Sequence, residues 1–238
     1  MKSLRRLRRR FLPAHVRADI RDYELIVELM ERVLEPDSDC IDVGAHEGLF
    51  LREMVRIAPR GRHVAWEPLP TFARRLRRDF PGIEVHEAAL AMDRGEVDFQ
   101  HAIDQPGWSG LRGRPTSRGS RFETIKVSAE RLDDALTAGV RPRVIKIDVE
   151  GAEEEVLLGG FRTVREHRPI IVFEYGADAE RLYGTPVDRF HDMLTGALEC
   201  DVVGLDGAGP FSSREFARIV RAGERHNFVA WPSEAKLA

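Results

Sequence analysis

The chain has 238 residues, 42% of them apolar and 32% charged, with a net charge of −3 at pH 7. That suffices for one substantial core, or at most two small ones, in a soluble globular protein, and it provides no global positive field to attract nucleic acid. No apolar run reaches the length of a membrane span.

The basic N-terminus is not followed by an apolar stretch, so no secretory signal is expected. Cys40 and Cys200 do not form a disulfide framework, and a reducing cytoplasm is the expected compartment. Charge is uneven locally. MKSLRRLRRR holds six cations; its simpler reading is a frayed, solvated terminus, and its sharper one a weak peripheral contact with an anionic lipid surface. Residues 112–121 hold four arginines. They match an anionic group on a substrate, and equally a solvated loop.

In chain order, Leu25, Leu29, Val33 and Leu34 predict a helix over 22–34. A strand over 39–44, a helix over 48–58, a strand over 62–68, a helix over 71–80 and a strand over 82–90 follow. This alternation argues a parallel sheet with right-handed crossovers. Residues 95–103 and 121–130 alternate apolar and polar and bracket a Gly/Pro/Arg/Ser loop, which predicts an inserted β-hairpin closing over a site. The wound pattern resumes with a strand over 144–149, a helix from about Ala152, a strand over 169–176, helix within 178–196, and strands over 199–205 and 226–232. The last two, read in succession, predict an antiparallel hairpin on the sheet's edge. The expected organisation is a basic segment and leading helix over 1–36, then a single doubly wound α/β domain over 37–238, with its insertion at about 95–130.

Gly44 and Gly48 in IDVGAHEG stand between the first strand and its helix, at the carboxyl edge where ligands bind in such sheets. Glycine admits close backbone approach, and a helix N-terminus offers free N–H groups. His46 occupies the middle position of the G-x-G-x-x-G dinucleotide fingerprint, which disfavours a nicotinamide-dependent oxidoreductase. Glu67 ends the second strand, 19 residues beyond Gly48, where a carboxylate can accept both hydroxyls of an adenosine ribose. The conjunction points to an adenosine-containing cofactor.

VIKIDVEGAEEEVLLGG (144–160) is a central strand running into a helix. Period-two alternation places Lys146, Asp148 and Glu150 on one side. A lysine inside such a strand needs a partner, and Asp148 and Glu174, the latter on the next strand, are the candidates. Asp148 and Glu150 are candidate catalytic carboxylates. Lys146 is a third catalytic candidate, read chiefly as an ion-paired lysine. Glu153, Glu154 and Glu155 fall in the first helical turn, where interaction with the helix dipole suffices to explain them. No H-x-x-H or D-x-D-x-D-G spacing commits the acids to a metal. His101, on the inserted strands, is an alternative base.

Together IDVGAHEG, WEPLP, HEAAL with RGEV, VIKIDVEGAEEEVLLGG, IIVFE and NFVAWP resemble the FkbM family of S-adenosylmethionine-dependent methyltransferases, over residues 39–232. The resemblance implies the class I methyltransferase sheet, Rossmann-like with a reversed last strand. It also implies S-adenosylmethionine as cofactor and O-methylation of a hydroxyl on a sugar, glycolipid or secondary metabolite. Position by position it implies that Asp42, Gly44, Ala45, His46 and Gly48 hold the methionine part, that Glu67 binds the ribose, and that Ala88 and Ala89 border the adenine. Asp148 would face the methyl-transfer site, with Trp108 and Ser109 nearby. Asparagine commonly follows Gly-Ala in the family; His46 stands there instead. The rivals are N-methylation of a small molecule, a nicotinamide-dependent oxidoreductase, and a binding protein without turnover.

Overall fold

The computed structural model describes residues 12–113 and 121–234. The basic terminus, and with it the peripheral-contact reading, lies outside the described residues, as do positions 114–120 of the arginine-rich loop. The elements are α1 (Ala14–Val33), β1 (Asp39–Val43), α2 (Leu49–Ile57), β2 (Val64–Trp66), α3 (Pro70–Asp79), β3 (Glu84–His86), β4 (Ala88–Leu90), β5 (Gly95–Ala102) and β6 (Phe122–Glu130). They continue through α4 (Leu132–Ala135), β7 (Pro142–Ile147), α5 (Glu153–Gly159), α6 (Phe161–His167), β8 (Ile170–Glu174), α7 (Ala177–Tyr183), α8 (Val187–Asp192), β9 (Cys200–Gly204), α9 (Ser213–Arg221) and β10 (Asn227–Pro232).

Seven strands form one sheet in the order β3-β2-β1-β7-β8-β10-β9. The first five pair in parallel, and β10 runs antiparallel to both β8 and β9. Both faces are covered, as the near-continuous apolar strands require. One face carries Val43, Trp66, Ile145, Ile147 and Phe173 into a core shared with α5, α6, α8 and α9. The other carries Cys40, Val144, Val172 and Val229 against Ile26, Leu29 and Met30 of α1 and Met54 of α2.

Three expectations differ from the fold. The leading helix begins at Ala14, not at residue 22, and buries Ile26, Leu29 and Met30 while Leu25 stays partly exposed. The stretch 82–90 is two strands: β3 closes the main sheet, and β4 leaves it to pair in parallel with β6 in a three-stranded sheet completed by β5. The inserted pair β5–β6 is antiparallel, as its alternation predicts. The last two strands pair antiparallel at the sheet's edge, as expected, but not through a tight turn. Helix α9 connects them, opened by a capping box in which Ser212 and Glu215 satisfy each other's backbone N–H groups. Its buried Phe216, Ala217, Ile219 and Val220 pack on the sheet, and β10 returns antiparallel beside β9, entering between β8 and β9.

Candidate active site

Strand order reverses between β1 and β7, and in a doubly wound sheet ligands bind at the carboxyl ends beside that point. A cavity of about 400 Å³ opens there, lined among others by Gly44, His46, Trp66, Glu67, Ala88, Ala89, Trp108, Ser109, Asp148, Glu150 and Glu174. Its size suits a small-molecule site, for which ~300–1,000 Å³ is usual. These residues come from six separate stretches of sequence. Asp42, Ala45, Gly48 and Lys146 do not line it among the described residues.

Gly44 leaves β1 with φ 76°, and a Cβ there would come 1.9 Å from the Asp148 carbonyl oxygen. The Asp148 N–H in turn donates to the Val43 carbonyl at 3.1 Å. Two strand ends therefore touch backbone to backbone, and only glycine fits. Gly44→Ala should cost about 2–4 kcal/mol in a urea titration, combining left-handed strain with overpacking; an unchanged midpoint would refute this close approach. Gly48 has a different local reason: its φ is also 76°, but an added Cβ would strike Leu76 and Phe80 on α3. The turn between them is clamped by Glu67, whose carboxylate accepts the His46 and Leu69 N–H groups, each at 2.8 Å. The His46 ring lies 4.0 Å from that of Phe72, and its Nε2 has no hydrogen-bond partner among the described residues. Burial lowers the pKa of this imidazole, so it is neutral at pH 7.

Lys146 is 3% exposed and donates from Nζ to Asp148 Oδ2 at 2.6 Å, with the Phe50 ring 4.8 Å from the ammonium. Strand register sets Asp42 directly beside it. Burial alone would lower the lysine's pKa, but the carboxylates of Asp148, Asp42 and Glu174 outweigh it and the net shift is upward. Lys146 is therefore a cation at neutral pH, matching its reading as an ion-paired lysine. Burial pushes the Asp42 carboxyl up to about 6, and its oxygens have no hydrogen-bond partner among the described residues. Burial likewise takes Glu67 up to about 7. The Glu174 carboxyl is raised well above the carboxylate range by Asp148, then by burial and by Glu150.

The turn from β7 into α5 places Glu150 at φ 58° and Gly151 at φ 103°, a left-handed pair that a non-glycine residue adopts only under constraint. The inserted loop packs on it: a Cβ at Gly110 would lie 3.2 Å from that of Glu150. The loop is itself held by paired bonds between Gly110 and Gln100 and by the Ser109 hydroxyl, which accepts the Ala102 N–H at 3.0 Å.

Two expectations about side chains are corrected. Glu153 is no solvent-facing helix-start acid; it is 1% exposed, and Oε1 accepts the Gly151 N–H at 3.1 Å, bracing the turn. Burial raises its pKa to about 7. The unfolded carboxyl loses its proton near pH 4.5 and the folded one near 7, so in that window the native state binds more protons and stability falls as pH rises. The stability difference between wild type and Glu153→Gln should therefore shrink by on the order of 3 kcal/mol from pH 4.5 to 7. Taking the difference cancels buried His46 and His63, whose lowered pKa values act oppositely. A pH-independent difference would show that Glu153 is ionised throughout. His101 faces Glu123 across β5–β6 and does not line the cavity.

Glu174, Trp66 and Asp19 are among the lining residues that were not singled out from the sequence as site residues. Glu174 carries the same signal as Asp148, an acid ending a central strand. Trp66 is the apolar residue before Glu67. Asp19 reaches the cavity from α1, a juxtaposition with no local signature.

The sequence profile described as "Methyltransferase FkbM domain" matches residues 42–201, which include the described cavity-lining residues other than Asp19. The chain belongs to this family. S-adenosylmethionine is accordingly its cofactor, and the cavity suits it: a backbone cradle at Gly44 and a buried strand-end carboxylate at Glu67. The chain is 28% identical over 194 residues to the 2-O-methyltransferase NoeI of Sinorhizobium fredii, covering 74% of this chain and 78% of NoeI. It is 30% identical over 152 residues to the methyltransferase sdnD of Sordaria araneosa, covering 50% and 59%. In fold it is similar to the solved FkbM methyltransferase of Methylobacillus flagellatus KT, with a TM-score of 0.52 at 16% identity over 84% of this chain and 45% of that one. The class I methyltransferase fold expected of the FkbM domain, with its antiparallel strand, is the fold observed.

Proposed function

We propose that this methyltransferase acts on oxygen, transferring the methyl group to a hydroxyl of a sugar, glycolipid or secondary metabolite. The observation that carries this reading is Asp148 on the cavity wall, held at 2.6 Å by Lys146 and packed against the Gly44 turn. A hydroxyl must lose a proton as it gains a methyl group, so an oriented carboxylate is the required partner. That the similar protein NoeI is a 2-O-methyltransferase supports oxygen as the target.

In this reading Gly44, Ala45, His46 and Gly48 form the turn that cradles the methionine end, with Asp42 behind it as a counter-charge for an ammonium. Glu67 receives the ribose hydroxyls on the lone pairs that the His46 and Leu69 amides leave open. Ala88 and Ala89, with Trp66 and Phe99, give the adenine an apolar wall. When bound, the cofactor supplies an electrophilic methyl on a sulfonium. The chain's own contribution is alignment and proton removal: Asp148 orients the acceptor hydroxyl and takes its proton, Lys146 fixes that carboxylate, and Glu150 borders the acceptor beside the inserted loop. Trp108 and Ser109 close the cavity and limit water.

Two measurements test this. Calorimetry should show S-adenosylmethionine binding and no NAD binding; the reverse would favour an oxidoreductase. Isotope-labelled methyl transfer onto cell extracts, followed by product mass spectrometry, should place the label on oxygen. Label on nitrogen would replace this reading with N-methylation.

A further inference from the structure

Trp66 joins the glycine turn to the three-stranded sheet. Its carbonyl oxygen, at the end of β2, accepts the Gly44 N–H at 2.9 Å and the Ala45 N–H at 3.1 Å. That one oxygen therefore holds the backbone that the methionine end of the cofactor must approach. The Trp66 indole is 0% exposed and donates from Nε1 to Glu130 Oε2 at 2.9 Å. An indole N–H can only donate, and a buried one left without an acceptor is costly.

Glu130 is the last residue of β6. There it pairs with Leu90 of β4, and its carbonyl accepts the Ala91 N–H at 2.9 Å. Its side chain thus leaves the three-stranded sheet and reaches a residue of the seven-stranded one. The same Oε2 lies 2.8 Å from His86 Nδ1. The His86 ring stacks on the indole, with centroids 4.4 Å and planes 20° apart. The indole is held at its edge by Glu130 and on its face by His86, which leaves the Trp66 backbone little freedom to turn away from Gly44. The three-stranded sheet meanwhile sets Ala88 and Ala89 of β4 on the cavity lining. Glu130 itself is not among the described lining residues.

We propose that Glu130 is a positioning residue for cofactor binding. By holding the Trp66 indole it fixes the glycine turn and sets β4 against the cofactor half of the cavity. This rests on the methyltransferase reading above, and it assigns Glu130 a role exerted through Trp66.

Calorimetry with S-adenosylhomocysteine, on the full-length protein, tests it. Glu130→Leu, which leaves the indole N–H without an acceptor, should weaken binding about tenfold. Glu130→Gln, whose amide oxygen still accepts, should stay within about threefold of wild type. Trp66→Phe deletes the donor and keeps an aromatic ring; it should weaken binding several-fold, and adding Glu130→Leu to it should cost little more, because the two side chains act as one unit. In proton–nitrogen NMR spectra of the wild type, the Trp66 indole signal, assigned by its loss in Trp66→Phe, should move when S-adenosylhomocysteine binds. Urea titrations establish that each variant is folded; if Glu130→Leu is not, the glutamine and phenylalanine variants and the indole signal carry the test. The proposal is overturned if folded Glu130→Leu or Trp66→Phe binds like wild type, if Glu130→Gln loses as much as Glu130→Leu, if the two losses multiply in the double variant, or if the indole signal does not move. Failure of the wild type to bind S-adenosylhomocysteine would instead sink the methyltransferase reading, and this inference with it.

Discussion

Asp148→Asn should lower turnover by about 10²–10⁴-fold, the range for a lost general base, while the dissociation constant for S-adenosylmethionine changes little. The asparagine keeps an oxygen within reach of Lys146 Nζ, now 2.6 Å from Oδ2, so the strand-end geometry has a means of surviving. Two readouts separate chemistry from structure. A urea titration shows whether the variant is folded, and calorimetry shows whether the cofactor half is intact. Near-wild-type turnover in a folded, cofactor-binding variant removes Asp148 from the chemistry. Collapse of cofactor affinity alongside turnover would make it a positioning residue for the cradle, acting through its backbone contact with Gly44.

Lys146→Met is expected to have the largest effect on stability. The methionine fills similar space under Phe50 but removes the cation between Asp42 and Asp148. Breaking a buried pair by deleting one partner costs about 3–5 kcal/mol, because the remaining charge is left uncompensated. The pH dependence gives the sign. Asp42 is already raised to about 6 with the lysine present; without it the folded-state value climbs further above that of the unfolded chain. Protonation then relieves the repulsion at low pH, and stability is lost as pH rises through the carboxylate range. Urea titrations should therefore show a smaller loss at pH 5 than at pH 8. A loss equal at both values, or below about 1 kcal/mol, would mean that Asp42 is not charged beside the lysine.

The sequence made the central part of this legible because the central part is local. Lys146 and Asp148 are two residues apart on one strand, so alternation alone put them on one side, and they pair there. The glycine turn and Glu67 stand at strand ends on opposite sides of one crossover, and Glu67 does clamp that turn through the His46 N–H. What escaped was set by long-range packing. Glu153 is an acid in a first helical turn by sequence, but the Gly151 N–H and its burial make it an internal brace. Residues 82–90 read as one apolar strand because nothing local marks Glu87 as the point where the chain changes sheets. The Ser212 and Glu215 spacing is a helix-start signal, and overlooking it hid the helix that joins the last two strands. Arg112 shows the limit of counting charges, since its direction is fixed by Tyr183 and Leu182, some seventy positions away.

Strand β10 has a consequence for how the molecule is made. It lies between β8 and β9, so β9 joins the rest of the sheet only through it. Until residues 227–232 arrive, β8 presents an open edge and β9 has no neighbour. The five-stranded parallel portion can assemble first on a growing chain, but it carries an unpaired, apolar border of the kind that invites association with other chains. Insertion of this late strand is then the step that seals the sheet. Burial of Trp231, now 6% exposed, offers a fluorescence signal for its timing.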